Sequence, residues 1–115
     1  MKLQNLLVLI SLLISININA QSTASKQVST FTIDAPQLDT QKKIWVYLPK
    51  DYQDSNNSYP VIYMHDAQNL FDDKTSFVGE WKVDEYLDTL DKNESIIIGI
   101  EHGNENRIIN CYYYF

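Results

Sequence analysis

Residues 60–73 read PVIYMHDAQNLFDD. Val61 to Met64 form an apolar run with no polar alternation, and the run stops at His65 and Asp66. A strand with one wet face alternates apolar and polar residues. A strand that is apolar throughout is covered on both faces, the usual state in a parallel sheet. The sequence therefore predicts a parallel-sheet strand over 60–66. In open parallel sheets ligands bind beyond the carboxyl ends of the strands. A histidine, an acid and the amides Gln68 and Asn69 fall at that edge, so any chemistry is expected there.

The fold follows by working outward. "SIIIGIEHG" (95–103) has the same unbroken apolar character and predicts a second parallel strand. Between the two, Val83, Tyr86, Leu87 and Leu90 recur at i, i+3, i+4 and i+7 and predict a helix with a single apolar stripe. Glu80, Asp84 and Glu85 crowd its first turns, where the helix dipole favours negative charge, and Gly79 is the expected cap. Strand, helix and strand in this order predict a right-handed crossover. Upstream, "VSTFTIDA" (28–35) alternates and is closed by Pro36. "KKIWVYLP" (42–49) sets Ile44, Val46 and Leu48 against Lys43, Trp45 and Tyr47. The short polar connection between them predicts an antiparallel pair. The expected class is α/β, with an antiparallel first pair of strands followed by a parallel strand–helix–strand unit.

That arrangement has a physical deficit. Covering a sheet on both faces needs helices on both sides, and one helical stripe covers one side. A sheet of about four strands then leaves a bare face of at least a few hundred Å². The last parallel strand is also expected to lack a neighbour, leaving backbone groups unpaired. The pattern calls for more chain than the 115 residues supply.

Composition bounds the rest. Residues 1–20, with Lys2, an apolar stretch from Leu6 to Ile16 and small Ala20, predict a cleaved secretory signal peptide rather than a membrane anchor. A secreted or periplasmic chain is expected, with no membrane association after cleavage. Residues 21–27 read as a flexible lead-in, 28–107 as a partial domain and 108–115 as an aromatic tail outside the pattern. The formal charge is −6 with no basic cluster, which argues against a nucleic-acid partner. The single cysteine, Cys111, cannot form an internal disulfide, and no zinc spacing exists, so neither metal nor cofactor is expected. Asp66, Asp72 and Asp73 lack the alternation of a calcium loop and read as a solvated loop. Asn56 and Asn93 sit in glycosylation-type triplets.

Three blocks carry a resemblance. "KIWVYLPKDY", "YPVIYMHDAQNLFDDKTSFVGEWKVDEYLDTL" and "IIIGIEHGNENR" resemble the opening part of the putative-esterase family of α/β-hydrolases, which includes feruloyl, acetyl and siderophore esterases. The resemblance runs from about Lys42 to Arg107. Its middle block is the specific part: a strand ending in Met-His-Asp, then Gln-Asn-Leu-Phe-Asp, then Gly-Glu-Trp. It implies a serine hydrolase fold acting on a small-molecule or sugar ester. Asp66, Ala67 or Gln68 would give one oxyanion N–H, His65 would lie at the same oxyanion hole and pocket, and Trp81 would wall the pocket. Ala67 departs from the family's usual glycine and would be strained at positive φ.

The catalytic residues are expected outside this chain. The fold places its nucleophile on a Gly-x-Ser-x-Gly elbow followed by acid and histidine. The three glycines, Gly79, Gly99 and Gly103, frame no serine at that spacing. "GIEHG" (99–103) has elbow spacing but carries Glu101 at its centre, and a carboxylate does not replace the serine alkoxide in ester hydrolysis. Glu101 reads as a strand exit, and His102 beside it as a neighbour pointing to the opposite face. The terminal "YYYF" suggests a frameshift or premature stop in a longer gene, or an aromatic strand completing a naturally short protein. The rival class is a secreted carbohydrate-binding module using Trp45, Tyr47 and Trp81.

Overall fold

The structure, a computed structural model, describes residues 21–90, 92 and 95–103. The expected signal peptide, the aromatic tail with Cys111, and Asn93 lie outside the described residues. Strand β1 spans Val28–Ala35, β2 Thr40–Tyr47, β3 Val61–His65 and β4 Ile96–Ile100; one helix, α1, spans Val83–Asp88. Short 3-10 turns occupy Pro36–Leu38 and Ala67–Asn69.

The four strands form one mixed sheet in the order β1-β2-β4-β3. β1 pairs antiparallel with β2, from Val28 opposite Tyr47 to Ala35 opposite Thr40. β4 inserts between β2, antiparallel, and β3, parallel. The strand expected to lack a neighbour is therefore interior. Among the described residues the single-neighbour strand on that side is β3, paired only with β4. The expectation of two-sided cover for β3 fails for this reason: Val61 is 43% exposed, Ile62 47% and Tyr63 71%. An edge strand with neighbours on one side receives no cross-strand shielding on the other.

Register assigns the faces, because directly opposed residues share a side. Tyr47 opposes Ile97 and Trp45 opposes Gly99, while Met64 opposes Gly99 from β3. This face carries the core: Trp45, Tyr47, Ala67, Leu70, Phe71 and Ile97, with Val28, Met64, Val83 and Leu87 packed against it. The Trp45 and Phe71 rings stack with centroids 6.1 Å apart. On the opposite face, Phe31, Ile33, Val61 and Tyr63 stay open to solvent. That is the bare face the residue pattern anticipates.

The cover on the core side comes mostly from a loop. Leu70 and Phe71 are fully buried, whereas α1 is only six residues long and contributes Val83 and Leu87. The helix begins at Val83, the first residue of its apolar period and later than a cap at Gly79 would set it, and it ends before Leu90. Lys82 occupies the cap in the left-handed region (φ 57°), and Gly79, with φ 103°, lies in the preceding loop. Tyr86 and Leu90 point away from the core, 67% and 41% exposed. No helix among the described residues is long and apolar enough to cross a membrane.

Candidate functional site

The segment after β3 is built on a left-handed residue followed by a tight turn. Asp66 takes φ 57° and ψ 42°, a conformation that aspartate tolerates better than most residues because its short side chain bonds locally. Ala67 then starts the 3-10 turn, and it is absent from the positive-φ residues. The strain expected at Ala67 is thus carried by Asp66. The turn is closed by Asn69 N–H to the Asp66 carbonyl (2.9 Å) and Leu70 N–H to the Ala67 carbonyl (3.2 Å). Those bonds leave the N–H groups of Ala67 and Gln68 outside the turn's own ladder, as at any helical start.

Asn69, placed at this edge by the sequence, also organises the loop, a role the sequence did not show. Its Oδ1 accepts the Phe77 N–H at 2.9 Å, and its carbonyl accepts the Trp81 N–H at 2.8 Å. Trp81 is thereby tethered beside the turn, with its side chain 55% exposed. Thr75 Oγ1 donates to the Gln68 carbonyl at 2.8 Å. The His102 N–H donates to Gln68 Oε1 at 3.4 Å, linking the exit of β4 to the turn. His65 is exposed, and its register opposite Ile100 sets it on the face away from the core. Ala67, Gln68, Trp81 and the His102 backbone are gathered around one loop; the His65 side chain leaves in another direction. An asparagine flanked by turn residues was the available signal, because its amide can substitute for backbone partners.

Glycine 99 explains how closely the turn approaches the sheet. A Cβ at this position would lie 2.8 Å from Ala67 Cβ and 3.2 Å from Leu70 Cδ1. Gly99 is therefore a packing residue. Glu101 is equally structural: its Oε1 accepts Trp45 Nε1–H at 2.8 Å and lies 3.5 Å from Lys43 Nζ, whose ammonium sits 4.4 Å over the Trp45 ring.

Acidic residues bracket the loop. Asp72, expected in a solvated loop, is buried. Burial raises its pKa, but donation from Ser22 Oγ (2.6 Å), the N–H groups of Lys74 and Thr23, and the charge of Lys74 outweigh this and hold the carboxyl below its ordinary value. Residues 21–27, expected as a flexible lead-in, donate two more bonds to acidic side chains: Thr23 Oγ1 to Glu80 Oε2 (2.8 Å) and Ser25 N–H to Asp84 Oδ2 (2.7 Å). Asp84 is fully buried, and burial together with Glu85 pushes its pKa up to about 7. Glu80 is raised as well, by burial and by the charges of Glu85 and Asp72.

A cavity of about 620 Å³ opens at the other end of the parallel pair, lined by Tyr47, Lys50, Tyr59, Pro60, Leu87 and Leu90. It lies by the amino end of β3, and neither the His65–Gln68 turn nor Trp81 lines it. Trp45 and Tyr47, candidates for sugar stacking, are buried, and the Tyr47 hydroxyl donates to Asp88 Oδ1 at 2.9 Å.

No curated protein and no solved structure matched in the corresponding comparisons. A family model described as "Putative esterase" matches residues 35–114. That span runs from the end of β1 through β2, the 66–81 loop, α1 and β4, and a match over so much of the chain shows that it belongs to this esterase family.

Proposed function

We propose that this chain is the amino-terminal part of a secreted serine ester hydrolase, bearing one side of the oxyanion hole but none of the catalytic triad. The observation that carries the reading is the turn at Asp66–Gln68. It lies at the carboxyl end of a parallel strand, with the Ala67 and Gln68 N–H groups outside the turn's own bonds. In acyl transfer a serine hydroxyl attacks the ester carbonyl while a histidine accepts its proton. Negative charge then develops on the carbonyl oxygen, and preorganised N–H donors stabilise it, one donor being worth about 10²–10³ in rate. The turn would supply such a donor, and Trp81 would form one wall for the substrate. Esters, sugar esters included, are the substrate class.

The 115 residues contain no Gly-x-Ser-x-Gly elbow, so by themselves they should not hydrolyse esters. The test is to assay the purified chain with a chromogenic short-chain ester. No turnover above the buffer blank is expected, and hydrolysis abolished by a serine-directed inhibitor would overturn the inactivity. A sugar-binding module is disfavoured by the burial of Trp45 and Tyr47. Retention of the chain on a polysaccharide column, eluted by free sugar, would reinstate that class.

A further inference from the structure

The geometry points to a calcium-binding site formed by Glu80, Asp84 and Glu85, separate from the ester-hydrolase reading. Each of the three offers a carboxylate oxygen that lies within 4.8 Å of the other two. Asp84 is fully enclosed, yet among the described residues its Oδ1 has no hydrogen-bond partner, and neither do the buried Glu80 Oε1 and Glu85 Oε2. The ion pairs Lys43–Glu101 and Lys50–Asp88 do not involve the three acids.

An enclosed carboxylate oxygen without a partner is costly, and two further carboxylates at close range add repulsion. The raised pKa values of Asp84 and Glu80 express the same crowding. A divalent cation removes both costs at once. All the donors are oxygens, which selects a hard cation over zinc or copper. Calcium–oxygen distances of about 2.3–2.6 Å let one ion span oxygens up to 4.8 Å apart, while magnesium, at about 2.0–2.1 Å, would have to draw such a pair inward. Water or backbone carbonyls would complete the coordination. The other oxygens of Glu80 and Asp84 are already oriented, by Thr23 Oγ1 and the Ser25 N–H. A bound ion would fasten three segments together: the 22–25 strap, the start of α1, and the stretch carrying Trp81, whose N–H holds the Asn69 carbonyl.

The experiment is calorimetric titration of the full chain, stripped with EDTA, with calcium chloride and separately with magnesium chloride, alongside thermal melts. One calcium per chain and a calcium-dependent rise in Tm are expected, with magnesium weaker. Asp84→Asn and Glu80→Gln should each weaken calcium binding roughly tenfold or more, since affinity follows the ligand charge count. Asp73→Asn, at an exposed acid outside the cluster, should bind as the parent does. Glu80→Gln alters a half-buried residue and keeps the test valid if Asp84→Asn does not fold. Absence of binding heat and of any Tm change up to about 10 mM calcium would overturn the proposal. So would parental affinity in both variants, or magnesium binding as tightly as calcium.

Discussion

Substituting Gly99 by alanine probes the contact that fixes the candidate loop to the sheet. The added Cβ would stand 2.8 Å from Ala67 Cβ, 3.2 Å from Leu70 Cδ1 and 3.4 Å from Phe71 Cε2. Carbon atoms in contact settle about 3.5–4.0 Å apart, so the Ala67 contact is too short by roughly 0.7–1.2 Å. Leu70 can rotate away, but Ala67 has no rotamer to change. Either β4, held between β2 and β3, or the 66–69 turn must shift. Overpacking of this kind costs about 1–3 kcal/mol. For a domain of this size that is a fall in Tm of about 4–8 °C per kcal/mol.

The reciprocal change, Ala67→Gly, removes one buried methyl (about 0.8 kcal/mol) and adds backbone freedom (about 0.5–1 kcal/mol), so it is mildly destabilising alone. In the double variant the Ala67 contact is gone, and the remaining 3.2 Å contact is with Leu70 Cδ1, which can rotate away. The double variant's stability should lie within about 1 kcal/mol of Ala67→Gly, giving a favourable coupling of about 1–3 kcal/mol. Urea denaturation followed by far-ultraviolet circular dichroism measures all four corners of the cycle. A Gly99→Ala chain within about 0.5 kcal/mol of the parent, or a double variant whose cost is the simple sum, would refute the close-approach argument.

Asp72 sets an acid limit. Its pKa is lowered in the folded chain, so its contribution to stability is present above the unfolded value of about 3.9 and is lost as pH falls through the folded one. Removing a donor by Ser22→Ala should flatten the Tm-versus-pH curve below about pH 4; an unchanged curve would count against that bond. Tyr63, 71% exposed on the single-neighbour strand, should tolerate lysine within about 0.5 kcal/mol. Tyr63→Lys should also slow aggregation in light scattering, because a charge blunts an open edge.

The strands were legible because their signals are local. Val28–Ala35 shows alternation closed by Pro36, and Val61–His65 is an apolar run closed by a polar loop. Lateral order was not legible: nothing in the period of 96–100 says that β4 enters between β2 and β3. Leu70 and Phe71 escaped because two apolar residues inside a polar loop have no period, and their burial depends on Gly99 letting the loop approach. Tyr86 and Leu90 fit a helical stripe that the helix is too short to bury. Asp84 looked like a dipole-favoured acid in a first turn, and the same position could not reveal that its side chain is enclosed. At the candidate site, the motif located the loop, but the division of roles between Asp66, which takes the left-handed conformation, and Ala67, which packs on Gly99, is a tertiary matter.

The central claim, an esterase-family chain carrying an oxyanion-side loop without a nucleophile, is met most directly by intact-mass analysis after incubation with a fluorophosphonate probe. The account predicts an unmodified mass for the native chain, matching a heat-denatured control. A stoichiometric adduct on one serine of the native chain, absent from the denatured control, would contradict it.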